Sequence, residues 1–169
     1  MNSQLKPLRI GAWLAGEAGV AAVEFALVLP LLVVLAFGFL EIGRLFWIYH
    51  IASASMRDAA RYAARLDLQC NQSGSAAIPN PQAIVFLART GTIDGSGPDL
   101  IPNWRIEGNV VPSAPCSPNP GWRGSYAGAA QIPVVTVTAR VPFTPLFGGL
   151  IPGMGFGHFN VVHQEVWTG

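Results

Sequence analysis

A long run of almost uninterrupted apolar residues occupies positions 20–48. The part Phe25–Gly43 contains 19 residues. As an α-helix it would extend about 28 Å, which is enough to cross the hydrocarbon core of a bilayer. The aromatic residues Phe46, Trp47 and Tyr49 follow it, and such residues are typical of membrane–water interfaces. The pattern therefore predicts one membrane-spanning helix.

Beyond these aromatic residues, small and apolar positions recur at helical spacing. They form one stripe: Ile48, Ile51, Ala52, Ser55, Met56, Ala59, Ala60, Ala63 and Leu66. The charged residues Arg57, Asp58, Arg61 and Arg65 fall mostly on other faces. We therefore interpret residues 20–65 as one helix whose second part packs its small-residue stripe against a globular domain. Pro30 lies within the span, where membrane helices tolerate proline because nearby groups satisfy the freed backbone carbonyl.

From Leu68 onward, glycine, proline and asparagine residues divide the chain into short elements. The pattern predicts a short helix at Pro81–Arg89 and strands at Trp104–Val111, Gln131–Val141 and His158–Trp167. Gln131–Val141 has the clearest strand pattern, because its apolar and polar residues alternate, and we expect the last strand to pair with it.

The intervening segment 143–156 is rich in glycine and proline, and we interpret it as an apolar loop. The predicted fold class is α+β: a long N-terminal transmembrane helix that continues into a small extracytoplasmic domain with an antiparallel sheet. We divide the chain into a cytoplasmic leader (1–19), the helix with its extension (20–67) and the small domain (68–169).

Charged residues make up only 11% of the chain, and its net charge is +1. This near-neutral balance gives no general attraction to nucleic acid. The two cysteines, Cys70 and Cys116, both follow the apolar run. In an oxidising compartment we expect them to form a disulfide, the alternative being two unpaired thiols. A metal site is not expected, because neither has a Cys or His neighbour at ligand spacing.

The orientation of the span rests on several features. Lys6 and Arg9 favour a cytoplasmic N-terminus, but Arg44 and Arg57 lie close to the other end. Charge counting alone therefore leaves the orientation open. The two cysteines and the processing motif at Gly19–Val20 favour placing the domain outside the cytoplasm. A secreted protein with residues 1–54 as signal peptide is a rival, but the apolar stretch is too long for a signal peptide and contains Glu24 and Glu41.

A possible processing site lies at the start of the apolar run. Gly19 is small enough for a peptidase to approach the backbone, and cleavage before Val20 would make Glu24 the fifth residue of the mature chain. There the carboxylate would favour the positive end of the helix dipole and could attract the free amine of a neighbouring subunit. The alternative is that Glu24 merely extends toward the cytoplasmic interface.

Glu41 and Arg44 form a second candidate site. Their i, i+3 spacing allows them to pair on one helix face near the outer interface. One interpretation is mutual neutralisation at the membrane edge. The other is that the pair sets the register of this helix against the helix of another subunit.

The sequence contains no recognisable catalytic set. His50, His158 and His163 have no accompanying nucleophile or metal-ligand cluster. We therefore predict that the protein is not an enzyme and has no cofactor or metal. The apolar loop Phe143–Phe156 is a candidate subunit contact, because large exposed apolar patches tend to mark interfaces.

The segment from Gly19 to Arg65 resembles the signature of TadE-like pseudopilins of tight-adherence (Flp-type) pilus systems. The resemblance rests on Gly19, Val23–Leu27, Pro30, Glu41–Arg44 and Arg57–Ala64. The later stretch VVTVTARVPFTPLFGGLIPGMG is also similar to that family, whereas 68–132 is unmatched.

The resemblance implies a minor structural subunit for assembly of a tight-adherence pilus, matured by a prepilin peptidase. It implies other pilin and pseudopilin subunits, the pilus assembly platform and membrane lipids as partners. The expected location is the inner (cytoplasmic) membrane, single-pass, with the C-terminal domain periplasmic or extracellular, and with incorporation into the pilus left open. The alternative function is a membrane-anchored binding module with no filament role.

Overall fold

A computed structural model describes residues 18–107, 109–147 and 157–168. Its first element is a single helix, α1, at Ala18–Ala63, with Pro30 inside it. The predicted helix over residues 20–65 is therefore confirmed with small shifts at its ends. The predicted leader lies almost wholly outside the described residues.

The contacts of the chain divide it into two compact units, with the boundary between Leu40 and Glu41. In the first unit, most apolar side chains of α1 are exposed, for example Leu27 at 75%. Among the described residues, one helix, within Gly19–Ala63, is long and apolar enough to cross a membrane. It is a candidate membrane anchor, because exposed apolar surface of this extent is costly in water.

The second unit, from Glu41 onward, is built around an antiparallel sheet. The strands are β1 (Asn109–Ser113), β2 (Cys116–Pro118), β3 (Gln131–Pro142) and β4 (His158–Val166). The long strand β3 pairs with β4 from Val134↔Val166 to Pro142↔His158. It also pairs with β1 over Asn109↔Arg140 to Ser113↔Thr136 and with β2 over Cys116↔Pro133 to Pro118↔Gln131.

Two further helices belong to this unit, α2 (Pro81–Thr90) and α3 (Trp104–Glu107). Helix α2 begins with Pro81, whose fixed φ suits the first helical turn, and ends before Gly91, which adopts φ 75°. A single turn of 3-10 helix lies at Gly124–Tyr126.

One hydrophobic cluster unites the second part of α1 with the sheet. Alanines at the predicted stripe positions, including Ala52, Ala59 and Ala60, are fully buried. The cluster also contains Val135, Val137 and other inward residues of β3. Small side chains allow the helix backbone to approach its neighbours closely. The alternation that predicted β3 therefore also identified its buried face.

The expectations for the remaining elements have mixed outcomes. The short helix and the strands at Gln131–Val141 and His158–Trp167 are confirmed by α2, β3 and β4. The prediction of a strand over Trp104–Val111 is wrong in its first half. There the chain forms α3, whose Trp104 is fully buried, and the strand begins only at Asn109. Strand β2 was not predicted, because its three residues are too few to show alternation.

The predicted disulfide between Cys70 and Cys116 is confirmed. It joins the segment after α1 to the first residue of β2, across a separation of 46 residues. Single β-bridges reinforce this junction, from Cys70 to Ala76 and from Ser75 to Pro115. The disulfide therefore anchors the loop that leaves α1 to the sheet.

Replacement of both cysteines by serine should destabilise the second unit by about 2–4 kcal/mol, because the unfolded chain regains the freedom of a long loop. The measurement is denaturant unfolding of the full chain in a mild detergent, followed by near-ultraviolet circular dichroism. Reduction of the unmodified protein should give a similar loss. Equal stability of the oxidised, reduced and double-serine forms would show that the disulfide contributes nothing.

Candidate functional site

Glu41 is a buried carboxylate on a helix whose neighbouring residues are exposed. Its relative exposure is 3%, whereas Leu40 is 63% and Ile42 is 39% exposed. The protein therefore covers this one side chain. The cover comes from the segment that follows β3, residues 143–147, which reaches Glu41 across more than 100 residues of sequence.

Four hydrogen bonds satisfy the Glu41 carboxylate. Its Oε1 accepts from Arg44, at 2.8 Å from Nη2 and 3.2 Å from Nε. Its Oε2 accepts from the backbone N–H groups of Leu146 at 3.0 Å and Phe147 at 3.2 Å. Each oxygen thus has two donors, which is the condition under which burial of an ionised carboxylate is tolerated.

Arg44 holds the same segment by a second route. Its Nη2 donates to the backbone carbonyl of Thr144. Its guanidinium carbon lies 4.6 Å from the centroid of the Phe143 ring, in cation–π geometry. We call this arrangement of Glu41, Arg44 and segment 143–147 the clasp. It fixes the end of β3 to α1.

The clasp depends on every partner being present. Hydrogen bonds to charged groups contribute roughly 1.5–3 kcal/mol each, whereas a buried charge left without partners is strongly destabilising. Phe143 is itself only 2% exposed, so the clasp adjoins the hydrophobic cluster of the second unit. Polar and apolar contacts therefore hold the same segment on the helix.

The sequence pattern predicts only part of this site. The pairing of Glu41 with Arg44 on one helix face is as predicted. The backbone donors at Leu146 and Phe147 were missed, because sequence spacing gives no information on contacts between such distant residues. A usable signal existed: two charges inside an apolar helix require partners, and a glycine- and proline-rich loop has free backbone N–H groups.

The predicted processing residues lie near the start of α1. Gly19, Val20 and Glu24 are all exposed and helical. A side-chain carbon added at Gly19 would meet nothing within 4 Å. Glu24 belongs to the first unit and Glu41 to the second, so the two predicted carboxylate sites are separate.

The three histidines and the predicted contact loop lie in different parts of the second unit. His158 is within 3.0 Å of Arg140, whereas His50 and His163 both line a cleft between α1 and β4. Across the part of the chain that the structure describes, no group of three or more His, Cys, Asp or Glu residues is arranged to hold a metal. In the predicted contact loop, Leu146 is 69% exposed, and residues 148–156 lie outside the described residues.

The fold and the site together define a class of protein: a candidate single-pass membrane protein with a long N-terminal helix whose second part belongs to a small α+β domain. A comparison with protein families gives the particular assignment. The family described as TadE-like protein matches residues 19–61, which identifies this segment as TadE-like and confirms the predicted resemblance. The family is associated with tight-adherence pilus systems.

The family match covers about a quarter of the chain and contains Gly19, Glu24, Glu41 and Arg44. The predicted similarity of the later stretch around β3 lies outside it and stays a prediction. Neither a search of curated proteins nor a search of solved structures finds a match.

Replacement of Glu41 by glutamine should destabilise the second unit by about 2 kcal/mol, because Arg44 and two backbone N–H groups lose a charged acceptor. Hydrogen exchange at the Leu146 and Phe147 amides should accelerate in the full chain in detergent. The matched control is Glu24→Gln, an identical change at an exposed position of the same helix, which should leave both amides unchanged. Unaltered exchange in Glu41→Gln would show that the clasp does not hold the segment.

Proposed function

We propose that this protein is a minor pseudopilin-like structural subunit for assembly of a tight-adherence (Flp-type IV) pilus. The observation that carries the proposal is the TadE-like match over residues 19–61, which coincides with most of α1. The match begins at the predicted cleavage site and ends where the helix is buried in the domain. It therefore includes both the exposed apolar part and the part that carries the domain.

In this proposal, a prepilin peptidase cleaves between Gly19 and Val20. The small size and exposure of Gly19 support access to this bond. Cleavage would place the new amino group at Val20 and leave Glu24 about one turn into the helix. A carboxylate in that position is favoured by the helix dipole, and it could form an ion pair with the amino group of an adjacent subunit.

The exposed apolar surface of α1 is the proposed assembly surface. Leu27, Leu31 and Phe39 are 75%, 61% and 72% exposed. In a membrane this surface faces lipid, and it could exchange lipid for the helices of other pilin or pseudopilin subunits at little cost, because both are apolar. The assembly platform would act on subunits in the inner membrane, with the N-terminus cytoplasmic.

Glu41 and Arg44 have an indirect part in this assembly. Their charged groups are bonded to each other and to segment 143–147. We assign them to holding the domain on the helix, so that a force or rotation applied to the helix is transmitted to the domain. The domain would then have the same position on the helix in every subunit.

The mature N-terminus is the first test. Intact mass spectrometry of the protein purified from its native membrane should show loss of residues 1–19. Replacement of Gly19 by a bulky residue such as leucine should block the loss, while Gly43→Leu, a change at a second exposed helical glycine, should not. A full-length chain, or a cut after Ala54, would contradict the proposal.

Replacement of Glu24 by alanine tests assembly separately from cleavage. The variant should be cleaved normally but should yield markedly fewer surface pili, because the proposed ion pair with a neighbouring amino group is lost. Pili are measured in the sheared cell-surface fraction. The control is Glu24→Asp, which keeps the charge and should retain most assembly. Normal piliation in Glu24→Ala would eliminate the proposed ion pair.

A further inference from the structure

A cleft of about 290 Å³ lies between α1 and β4, outside the clasp and the processing site. Four of its lining residues come from consecutive turns of α1: Tyr49, His50, Ser53 and Arg57. Strand β4 contributes His163 from the opposite wall, with Val161 beside it. These residues are about 100 positions apart in the chain, and only the packing of β4 beside α1 brings them together.

The polar groups of the cleft are hydrogen-bond donors. Arg57 has a permanent positive charge, Ser53 and Tyr49 have hydroxyl groups, and each imidazole can donate from a ring nitrogen. Within the described residues, Arg57, Ser53 and His50 have no hydrogen-bond or ion-pair partner. A cationic guanidinium with hydroxyl and imidazole donors is the chemistry that recognises a phosphate group.

Two carboxylates belong to the elements that form the cleft: Asp58, which follows Arg57 on α1 and does not line the cleft, and Glu165 on β4, whose Oε2 lies 3.6 Å from Nε2 of His163. Glu165 lines a neighbouring cleft with Arg61 and Arg65 and does not line the one that contains Arg57. An anion next to Arg57 would therefore meet positive and neutral donors among the residues that line the cleft.

The position of the cleft along α1 points to the source of the phosphate. Trp47 and Tyr49 are 70% and 49% exposed. Exposed aromatic residues of this kind sit at the headgroup level of a bilayer. His50 and Ser53 follow Tyr49 by one and four residues, or about 1.5 and 6 Å of helix, which is within the depth of the headgroup region. Arg57 lines the same cleft about 12 Å beyond Tyr49, so its long side chain would extend back toward the membrane to reach the phosphate. An apolar groove lined by Phe46, Tyr49 and Phe159 adjoins the cleft and could receive the start of an acyl chain.

We propose that this cleft binds the phosphate group of an anionic phospholipid, with Arg57 as the charged contact and His50, Ser53 and His163 as donors. The bound lipid would hold β4 and the base of the domain against the outer leaflet. The inference requires only a membrane-anchored helix and is independent of any role in a pilus.

The test uses the full chain in maltoside micelles, which contain no phosphate. Short-chain phosphatidylglycerol is titrated in, and the imidazole resonances of His50 and His163 are followed by nuclear magnetic resonance. His158 lies outside the cleft and serves as an internal control. Parallel titrations use short-chain phosphatidylcholine and inorganic phosphate, to separate an anionic lipid from a zwitterionic lipid and from a free anion.

The expected result is a saturable shift of the His50 and His163 resonances, with the His158 resonance unchanged, and weaker binding of the other two probes.

Arg57→Gln should weaken phosphatidylglycerol binding about tenfold, since a charged hydrogen bond is lost. Arg65→Gln makes the same charge change just beyond the end of α1, beside the neighbouring cleft, and should have little effect. No shift with any probe, or equal weakening by both variants, would overturn the site. Equally tight binding of inorganic phosphate would overturn the lipid assignment.

Discussion

The buried carboxylate of Glu41 sets the constraint on which the arrangement of the domain depends. An ionised group on an apolar helix must be solvated, and here water is replaced by Arg44 and by the N–H groups of Leu146 and Phe147. Those donors exist in this position only if β3 ends beside α1. The electrostatic requirement of one side chain therefore fixes where the segment after β3 crosses the helix, and Phe143 packs beneath Arg44 at the same point.

The rest of the second unit supports this crossing. The alanine-rich part of α1 lets the sheet lie close to the helix, and β3 pairs with strands on both edges. The Cys70–Cys116 disulfide ties the exit of α1 to β2, at the other end of β3 from the clasp. Helix and sheet are thus joined at two separate places by strong contacts, with a continuous hydrophobic cluster between them.

This construction suits the proposed role of the helix as an assembly element. Up to Leu40 most apolar side chains of α1 are exposed and can face lipid or another helix, and from Glu41 onward the helix is part of a folded domain. The change occurs at a single residue boundary, and the clasp lies immediately after it. A bound anionic headgroup beside Arg57 would add a contact with the membrane surface about four turns further along.

The sequence by itself determined the elements whose signals are local. The apolar run specified α1, the alternation of Val135, Val137 and Ala139 specified β3, and the i, i+3 spacing specified that Glu41 meets Arg44. The region around Trp104 was misjudged, because burial of one aromatic side chain in the core outweighs a weak strand pattern. Only the tertiary structure decided what covers Glu41 and which residues face Arg57. Both depend on contacts across about 100 residues, and neither local propensity nor spacing encodes which distant backbone groups will be brought together.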